Sequence, residues 1–435
     1  MKQTITSIFL YCLYALITNV KVLGQDVQDT YVADVEYTKE INKLLRNKKI
    51  KSAFELVDIM DPRSMRDLVY LTEIPAPPFM EGIRAVAFRD LLSEAGIDSV
   101  WIDEVGNVIG LKYGTNGERN VVLDAHLDTV FPEGTDVTIK FKGDTLMAPG
   151  IGDDTRGLVV VLSVFRAMKM AEIETSDNIW IVGSVGEEGL GDLRGVKHLF
   201  REGATKIDSW ISVDGGEIGR LTNKGLGSNR YRVTITGPGG HSWGAFGLGN
   251  PHHALGLAIQ KFDKVAMEFT SKGPRTSYNV GRIGGGTSVN SIPFESWMEV
   301  DMRSVDPKSL DAIDVLFKES MNAAIEEINA NRRSGDALIL EVDKIGERPS
   351  GELPLSLPLI QRAIAVTNSF GVNPKVGIGS TNSNIPISLG IPAVTIGRGG
   401  VGGGAHSLGE WWMNEKGGEA IKLALLLVVA EAGIE

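Results

Sequence analysis

The sequence predicts an α/β fold: a layered domain around a mostly parallel sheet, into which a smaller α+β module of ferredoxin-like order is inserted. Three observations carry this. The chain has 435 residues, more than one hydrophobic core usually spans, so two domains are expected. From about residue 60 to 225, and again after 344, short runs that are apolar on both faces alternate with helical stripes. That is the pattern of strands buried in a parallel sheet between helices. Residues 226–343 follow a different order, β-α-β-β-α-β, which describes a compact module of its own.

In the first segment, residues 30–225, "EGIRAVAFRDLLSEAGI" puts Ile83, Val86, Phe88, Leu91 and Leu92 on a helix-like stripe. "NVVLDAHL", "NIWIVGSV" and "IDSWISVDGG" read as buried strands, and "RGLVVVLSVFRAMKM" as a buried helix. In the inserted segment, "NRYRVTITG", "TSYNVGRIGGG", "SWMEVDMRSV" and "ALILEVDKI" are strands. The helices "NPHHALGLAIQKFDKVAMEF" and "PKSLDAIDVLFKESMNAAIEEINA" lie between them in chain order. The last segment, 344–435, adds a helix "LIQRAIAVTNSF", a strand "IPAVTI" and a terminal helix "EAIKLALLLVVAEA".

Composition bounds the function. Apolar content of 43% with 23% charged residues is ordinary for a soluble globular chain. Lys2 precedes a 16-residue run from Ile5 to Val20, and Val22 and Gly24 are small residues ahead of Gln25. Residues 1–24 therefore read as a signal peptide, which implies an exported protein, periplasmic or secreted. Lys21 sits awkwardly in a cleavage region, so an uncleaved anchor is the alternative. Cys12, the only cysteine, lies inside this leader, which leaves the mature chain without a thiol ligand, nucleophile or disulfide. After leader removal no apolar run is long enough for a stable membrane span. The net charge of −11 becomes −13 without Lys2 and Lys21, which argues against nucleic acid.

Several polar residues stand where strands end or glycine loops begin. His126 ends the strand "VVLDAH" with Asp128 two residues on, placed to support the ring. Asp153 and Asp154 sit in "PGIGDDTRG", Asp214 in "SVDGG" and His406 in "GGVGGGAHSLG". Glu187 and Glu188 stand side by side in "SVGEEGLGD", where two carboxylates about 4 Å apart repel by roughly 4 kcal/mol at an effective dielectric near 20. Taken singly, each has a plainer explanation: a core histidine, a helix cap, a solvated turn, a surface loop. Together they make five strand-end or glycine-loop sites, and His126 stands at the carboxyl end of a strand, where open α/β sheets bind ligands. Two imidazoles with several carboxylates and no sulfur suit zinc first, with cobalt or manganese as substitutes.

With "HLDTV", "GDDTRG", "GEEGLGD", "SVDGG", "GGHSWG" and the late histidine in this order, the chain resembles the co-catalytic zinc exopeptidase and amidohydrolase family of peptidase T, carboxypeptidase G and succinyl-diaminopimelate desuccinylase. The resemblance runs from "EIPAPPFMEGIRA" and "DEVGNVIG" to "GIPAVTIGRGG" and the terminal helix. It implies two zinc ions: His126 and Asp214 on one, Glu188 and His406 on the other, and Asp153 bridging both through a cis peptide to Asp154. Asp128 then orients His126, and Glu187 is the general base toward a metal-bridging water. The inserted module is implied to be a lid and dimerisation domain of a homodimer. His241 in "GGHSWG" matches an oxyanion donor, often supplied by the partner subunit, while Asn290 and Arg303 match positions that hold polar groups of the substrate. His198, His252 and His253 match no motif.

The chain departs from the family where an acid is common: it reads "STNSN", with Asn382 in that place. Thr155, followed by Arg156, replaces a common lysine. "GRGGVG" fits a dinucleotide-binding pattern, but no helix follows it, and that reading is rejected. The expectation is a dizinc metallo-exopeptidase acting on short peptides, with aminopeptidase action of the tripeptidase kind slightly favoured. Carboxypeptidase or dipeptidase action and N-acyl-amino-acid hydrolysis are the alternatives. A metal-dependent peptide-binding protein is the non-enzyme rival, and the retained Glu187 weighs against it.

Overall fold

A computed structural model describes residues 30–435. The leader at 1–24 and Cys12 lie outside the described residues. Three helices come first, α1 (Val35–Leu44), α2 (Lys48–Ile59) and α3 (Asp61–Thr72), followed by α4 (Gly82–Glu94). Strands β1 (Ser99–Ile102), β2 (Val108–Lys112) and β3 (Asn120–His126) lead to helix α5 (Gly157–Met170). Then come β4 (Asn178–Ser184), β5 (Ser209–Val213) and β6 (Arg220–Gly225). The inserted module holds β7 (Gly227–Thr236), α6 (Pro251–Thr270), β8 (Thr276–Gly285), β9 (Glu295–Ser304), α7 (Pro307–Asn331) and β10 (Ile339–Arg348). The chain returns through β11 (Gly351–Glu352), α8 (Pro358–Ser369), β12 (Lys375–Gly379), β13 (Ala393–Ile396) and α9 (Gly417–Ala432).

The large sheet has nine strands in the order β1-β2-β4-β3-β5-β13-β6-β11, with β12 paired to β6. Its centre, β4-β3-β5-β13, is parallel, as the doubly apolar runs predict. The edges are antiparallel, at β1 and β2 on one side and β11 on the other. Along the central strands alternate residues enter opposite cores. Val121, Leu123, Ile179 and Ile181 face the layer of α5 and α9, while Val122, Trp180, Val182 and Trp210 face the short helices 194–199 and 384–388. Helix α9 is buried almost all round, the condition of a helix covered on every side.

The inserted module closes a four-stranded antiparallel sheet, β8-β9-β7-β10, under α6 and α7. Its core is separate, built around Tyr231, Val233, Phe262, Met298 and Phe317. Strand β10 runs on to Arg348, past the point where the apolar pattern fades, and so carries the module's last strand into the larger domain.

One element differs from expectation. Ile83 and Val86 are 73% and 42% exposed, while Arg84 is fully buried on the inner face of α4. The Arg84 guanidinium donates to the carbonyls of Ile74, at 2.6 Å, and Leu127, at 2.9 Å. It ties the end of α3 to the strand end beside His126, and this demand outranks the apolar stripe. Helices α1 to α3, which the sequence reading does not draw, bury Ile41 and Leu44, Ile50, Ala53 and Val57, and Leu68 and Leu71 at helical spacing, and Arg362 on α8 also pairs with Glu40 on α1 and Glu431 on α9. Among the described residues no helix is long and apolar enough to cross a membrane.

Leu426 is fully buried in α9. Leu426→Ala is expected to destabilise the larger domain by about 2–5 kcal/mol, because a cavity adds to the lost transfer energy. Thermal unfolding checks this, with a midpoint several degrees below that of the unmodified protein.

Candidate metal centre

The sheet's geometry brings the candidate donors to one rim. His126 closes β3, Glu187 and Glu188 follow β4, and Asp214 follows β5, all neighbouring strands. Asp153 comes from the turn 151–156 ahead of α5, and its peptide bond to Asp154 is cis. His406 arrives from a glycine loop clasped by the pairing of 401–403 with 411–413. Its φ of 63° is a conformation that non-glycine residues adopt only in tight turns.

Asp153 lies between the two histidines. Its Oδ1 is 3.2 Å from His126 Nε2, and its Oδ2 is 3.1 Å from His406 Nε2. His406 Nε2 is also 3.0 Å from Glu188 Oε1. Donor atoms of His126, Asp153 and Asp214 lie within 4.8 Å of one another, and so do those of Asp153, Glu188 and His406. The two triads share Asp153. A third grouping of the same tightness, His126 with Glu187 and Glu188, puts Glu187 against both.

The support comes largely from backbone groups. The Asp128 carboxylate accepts the N–H groups of Glu187 and Glu188 at 2.9 and 2.7 Å, which fixes the turn after β4. Asp128 also supports His126, as the sequence reading expects. The ring Nδ1 is 2.9 Å from the Asp128 main-chain carbonyl and 3.7 Å from its carboxylate. Strand β3 ends at His126, so the period of two no longer governs residue 128, and the chain presents a carbonyl instead. A proton held on Nδ1 by that carbonyl leaves Nε2 as the ligating nitrogen.

Glu410 was not singled out by sequence. Its buried carboxylate accepts N–H groups from Gly150 at 2.7 Å and from Gly152 and Asp153 at 2.9 Å each. The loop that carries His406 therefore also holds the turn that carries Asp153. Its signal was an acid four residues after His406 in "HSLGE", which reads as an ordinary loop acid.

The cluster is short of positive charge. Burial pushes the carboxyls of Asp154 and Glu187 well above their usual range and raises that of Asp214. Hydrogen bonds to Asp153 and Glu188 push the His406 imidazole up to about 10. Against the pull of burial, Asp128 and Asp153 raise His126 as well, and in spite of its own burial Asp153 is held low by the two imidazoles. Imidazoles kept cationic and acids seeking protons mark a site that divalent cations fit. The donors, two imidazoles and carboxylate oxygens without sulfur, suit zinc.

Asp153, Glu187, Glu188, Asp214 and His406 line a cleft of about 460 Å³, whose remaining charged residues are Arg220, Arg230, Arg303, Arg348 and Arg398. Arg348, at the end of β10, pairs with Glu187 Oε1 at 2.8 Å, donates to the Glu187 carbonyl, and reaches Ser380 Oγ at 2.9 Å. Arg303 lines the cleft and pairs with Asp301 at 2.7 Å. His241 and Asn290 are not among the lining residues. A short pairing of 240–241 with 291–292 holds them together on the inserted module, both exposed, with Ser242 N donating to the Asn290 carbonyl at 2.9 Å. Asn382 points away from the cleft: its amide donates to Asp124 and Ser184 at 2.8 and 2.7 Å inside the larger domain.

A profile of peptidase family M20/M25/M40 matches residues 122–429. The chain belongs to this family. Membership bears out the resemblance read from the motifs, and makes the protein an enzyme of the peptidase and amidohydrolase class. Members of the M20 family generally bind metal ions, typically zinc. Among relatives, the chain is 24% identical to protein YqjE of Bacillus subtilis over 298 residues, which are 65% of this chain and 76% of that protein. It is 27% identical to carboxypeptidase G2 of a Pseudomonas strain over 212 residues, 47% of this chain and 49% of that one. A tripeptidase of Staphylococcus aureus shares the fold with a TM-score of 0.68 at 21% identity, over 85% of this chain and 98% of that one.

Glu410→Gln leaves one of the three N–H groups facing an amide NH2 in place of an oxygen. Loss of such support typically costs 10- to 100-fold in metal affinity. Competition with a zinc chelator is expected to show weakening of about that size, with circular dichroism unchanged.

Proposed function

We propose that the protein is a dizinc exopeptidase or amidohydrolase that cleaves short peptides or N-acyl amino acids bearing a free carboxylate. The observation that carries this reading is Asp153 set between two donor triads, one oxygen toward each histidine, with Glu187 beside both and engaged by neither histidine. His126, Asp153 and Asp214 would hold one ion, and Asp153, Glu188 and His406 the other. Lewis acidity is what zinc supplies there: it eases proton loss from water near neutral pH and draws charge from a carbonyl.

The proton traffic falls to Glu187. Arg348 engages Oε1, so Oε2 is the acceptor. It takes a proton from the attacking water and returns it to the leaving nitrogen. The arginines of the cleft hold the substrate's carboxylate, with Arg303 the one anticipated from sequence. Every acid lining the cleft is a proposed metal ligand or Glu187, which leaves none to hold a free ammonium. The cleft's charge thus favours carboxypeptidase, dipeptidase or N-acyl-amino-acid action over the aminopeptidase action the sequence slightly favoured. A homodimer through the inserted module would bring the partner's His241 to the cleft as oxyanion donor. We further read the protein as exported after loss of residues 1–24, on the strength of its leader.

The test pairs a substrate panel with metal analysis. Dipeptides and N-acyl amino acids with free carboxylates should be hydrolysed, and their C-terminal amides at least about tenfold more slowly, since a charge-assisted contact is lost. Glu187→Gln should lower kcat by roughly 10²–10⁴-fold with both zinc ions retained. Chelation should abolish turnover and zinc restore it. Turnover that survives Glu187→Gln or chelation overturns the reading.

A further inference from the structure

Just beneath the metal rim the interior of the larger domain turns from apolar to polar. Toward the carboxyl ends of β3, β4 and β5, on the face that carries Val122, Trp180 and Trp210, stand Asp124, Ser184 and Ser212, all buried. Ser184 Oγ donates to Asp124 Oδ1 at 2.7 Å, and Ser212 Oγ donates to Asp124 Oδ2 at 3.2 Å. The turn 380–384 covers this layer. From it the Asn382 amide donates to Asp124 Oδ2 at 2.8 Å and to Ser184 Oγ at 2.7 Å. Thr381 and Ser383 each tie the same turn to Thr395 on β13 at 2.8 Å.

A buried carboxylate is a costly way to fasten a turn, and apolar residues of like volume would do so more cheaply. What the polar layer adds is direction, because satisfied hydrogen bonds allow the turn one orientation. That orientation reaches the cleft through Ser380. Ser380 lines the cleft wall, and its Oγ accepts from Arg348 Nη1 at 2.9 Å. The same nitrogen donates to Glu187 Oε1 at 2.8 Å, so its two hydrogens are divided between Ser380 and the acid. Nη2 donates to the Glu187 carbonyl, and Nε has no hydrogen-bond partner among the described residues. A guanidinium is planar with its donors in fixed directions. Holding one Nη1 hydrogen on Ser380 therefore sets where the other points.

We propose that Asn382 and Asp124 are positioning residues for the reaction. Acting through Ser380, they orient Arg348, and Arg348 holds Glu187 by Oε1 so that its other oxygen is left for the proton. Neither Asn382 nor Asp124 lines the cleft. Their effect on turnover rests on Glu187 being the base, as read above, whereas their hold on Arg348 does not.

The test combines steady-state kinetics on a hydrolysed dipeptide with zinc analysis and crystallography. Asn382→Leu should lower kcat about ten- to a hundredfold, the size expected when a catalytic group is displaced. KM should stay within about twofold, and the zinc content should not change. Ser380→Ala, which leaves the buried layer intact, should lower kcat comparably without moving the thermal midpoint. The two changes together should cost no more than about twofold beyond the larger single loss, because both act along one chain of contacts. Asn382→Ala takes the place of Asn382→Leu if the bulkier side chain does not fold. In the crystal, either Asn382 variant should show Arg348 turned from Glu187, with the proposed metal ligands in place. Native kcat in a folded Asn382 variant, losses that add in full to that of Ser380→Ala, or an unmoved Arg348 overturns the positioning role. Native turnover in Glu187→Gln sinks the base reading instead. If no substrate is turned over, the hydrolase reading fails, and the crystal structures alone decide the hold on Arg348.

Discussion

The constraint on which the rest of this structure depends is electrostatic. Asp153, Asp154, Glu187, Glu188 and Asp214 meet at one rim of a parallel sheet, largely out of water. Carboxylates so placed repel strongly in a low dielectric, and a fold that merely needed stability would not gather them. The surrounding architecture is arranged to hold them in spite of that. Asp128 pins the two glutamates by their backbone, Glu410 pins the aspartate turn by its backbone, and each histidine ring faces one oxygen of Asp153. Asp128 and Glu410 grip the main chain and leave the neighbouring carboxylates free to ligate.

That division explains what could be read from the sequence. The parallel centre of the large sheet was legible because its strands are buried on both faces and cannot alternate. The module's β-α-β-β-α-β order was legible because its strands and helices are long and bounded by turn signals. The donors were legible because strand ends and glycine turns in an α/β protein are where ligands sit, and because two histidines with paired acids are few enough to weigh one by one.

The supporting groups were not legible, for a physical reason in each case. Glu410 acts across the fold on residues some 260 positions earlier, and nothing local distinguishes it from a loop acid. Arg84 is a buried cation satisfied by carbonyls of two other segments, so its position on α4 inverts the apparent stripe. That Asp128 supports His126 was legible, but not which of its oxygens does so, because β3 stops at His126 and no alternation governs residue 128. His241 and Asn290 fold beside each other on the inserted module, but a single chain does not bring them to the rim.

Arg348 is the residue that makes the two domains one machine. It ends the last strand of the inserted module, yet its guanidinium pairs with Glu187 in the larger domain. Burial pushes the Glu187 carboxyl well above its usual range, and Arg348 acts against that push. The pair is nearly sealed from solvent, with both side chains about 5% exposed, so removing the arginine would strand a buried carboxylate. The electrostatic surroundings of Glu187 therefore depend on where the inserted module sits. The five proposed metal ligands all lie on the larger domain, and the inserted module meets this cluster through Arg348 and its contact with Glu187.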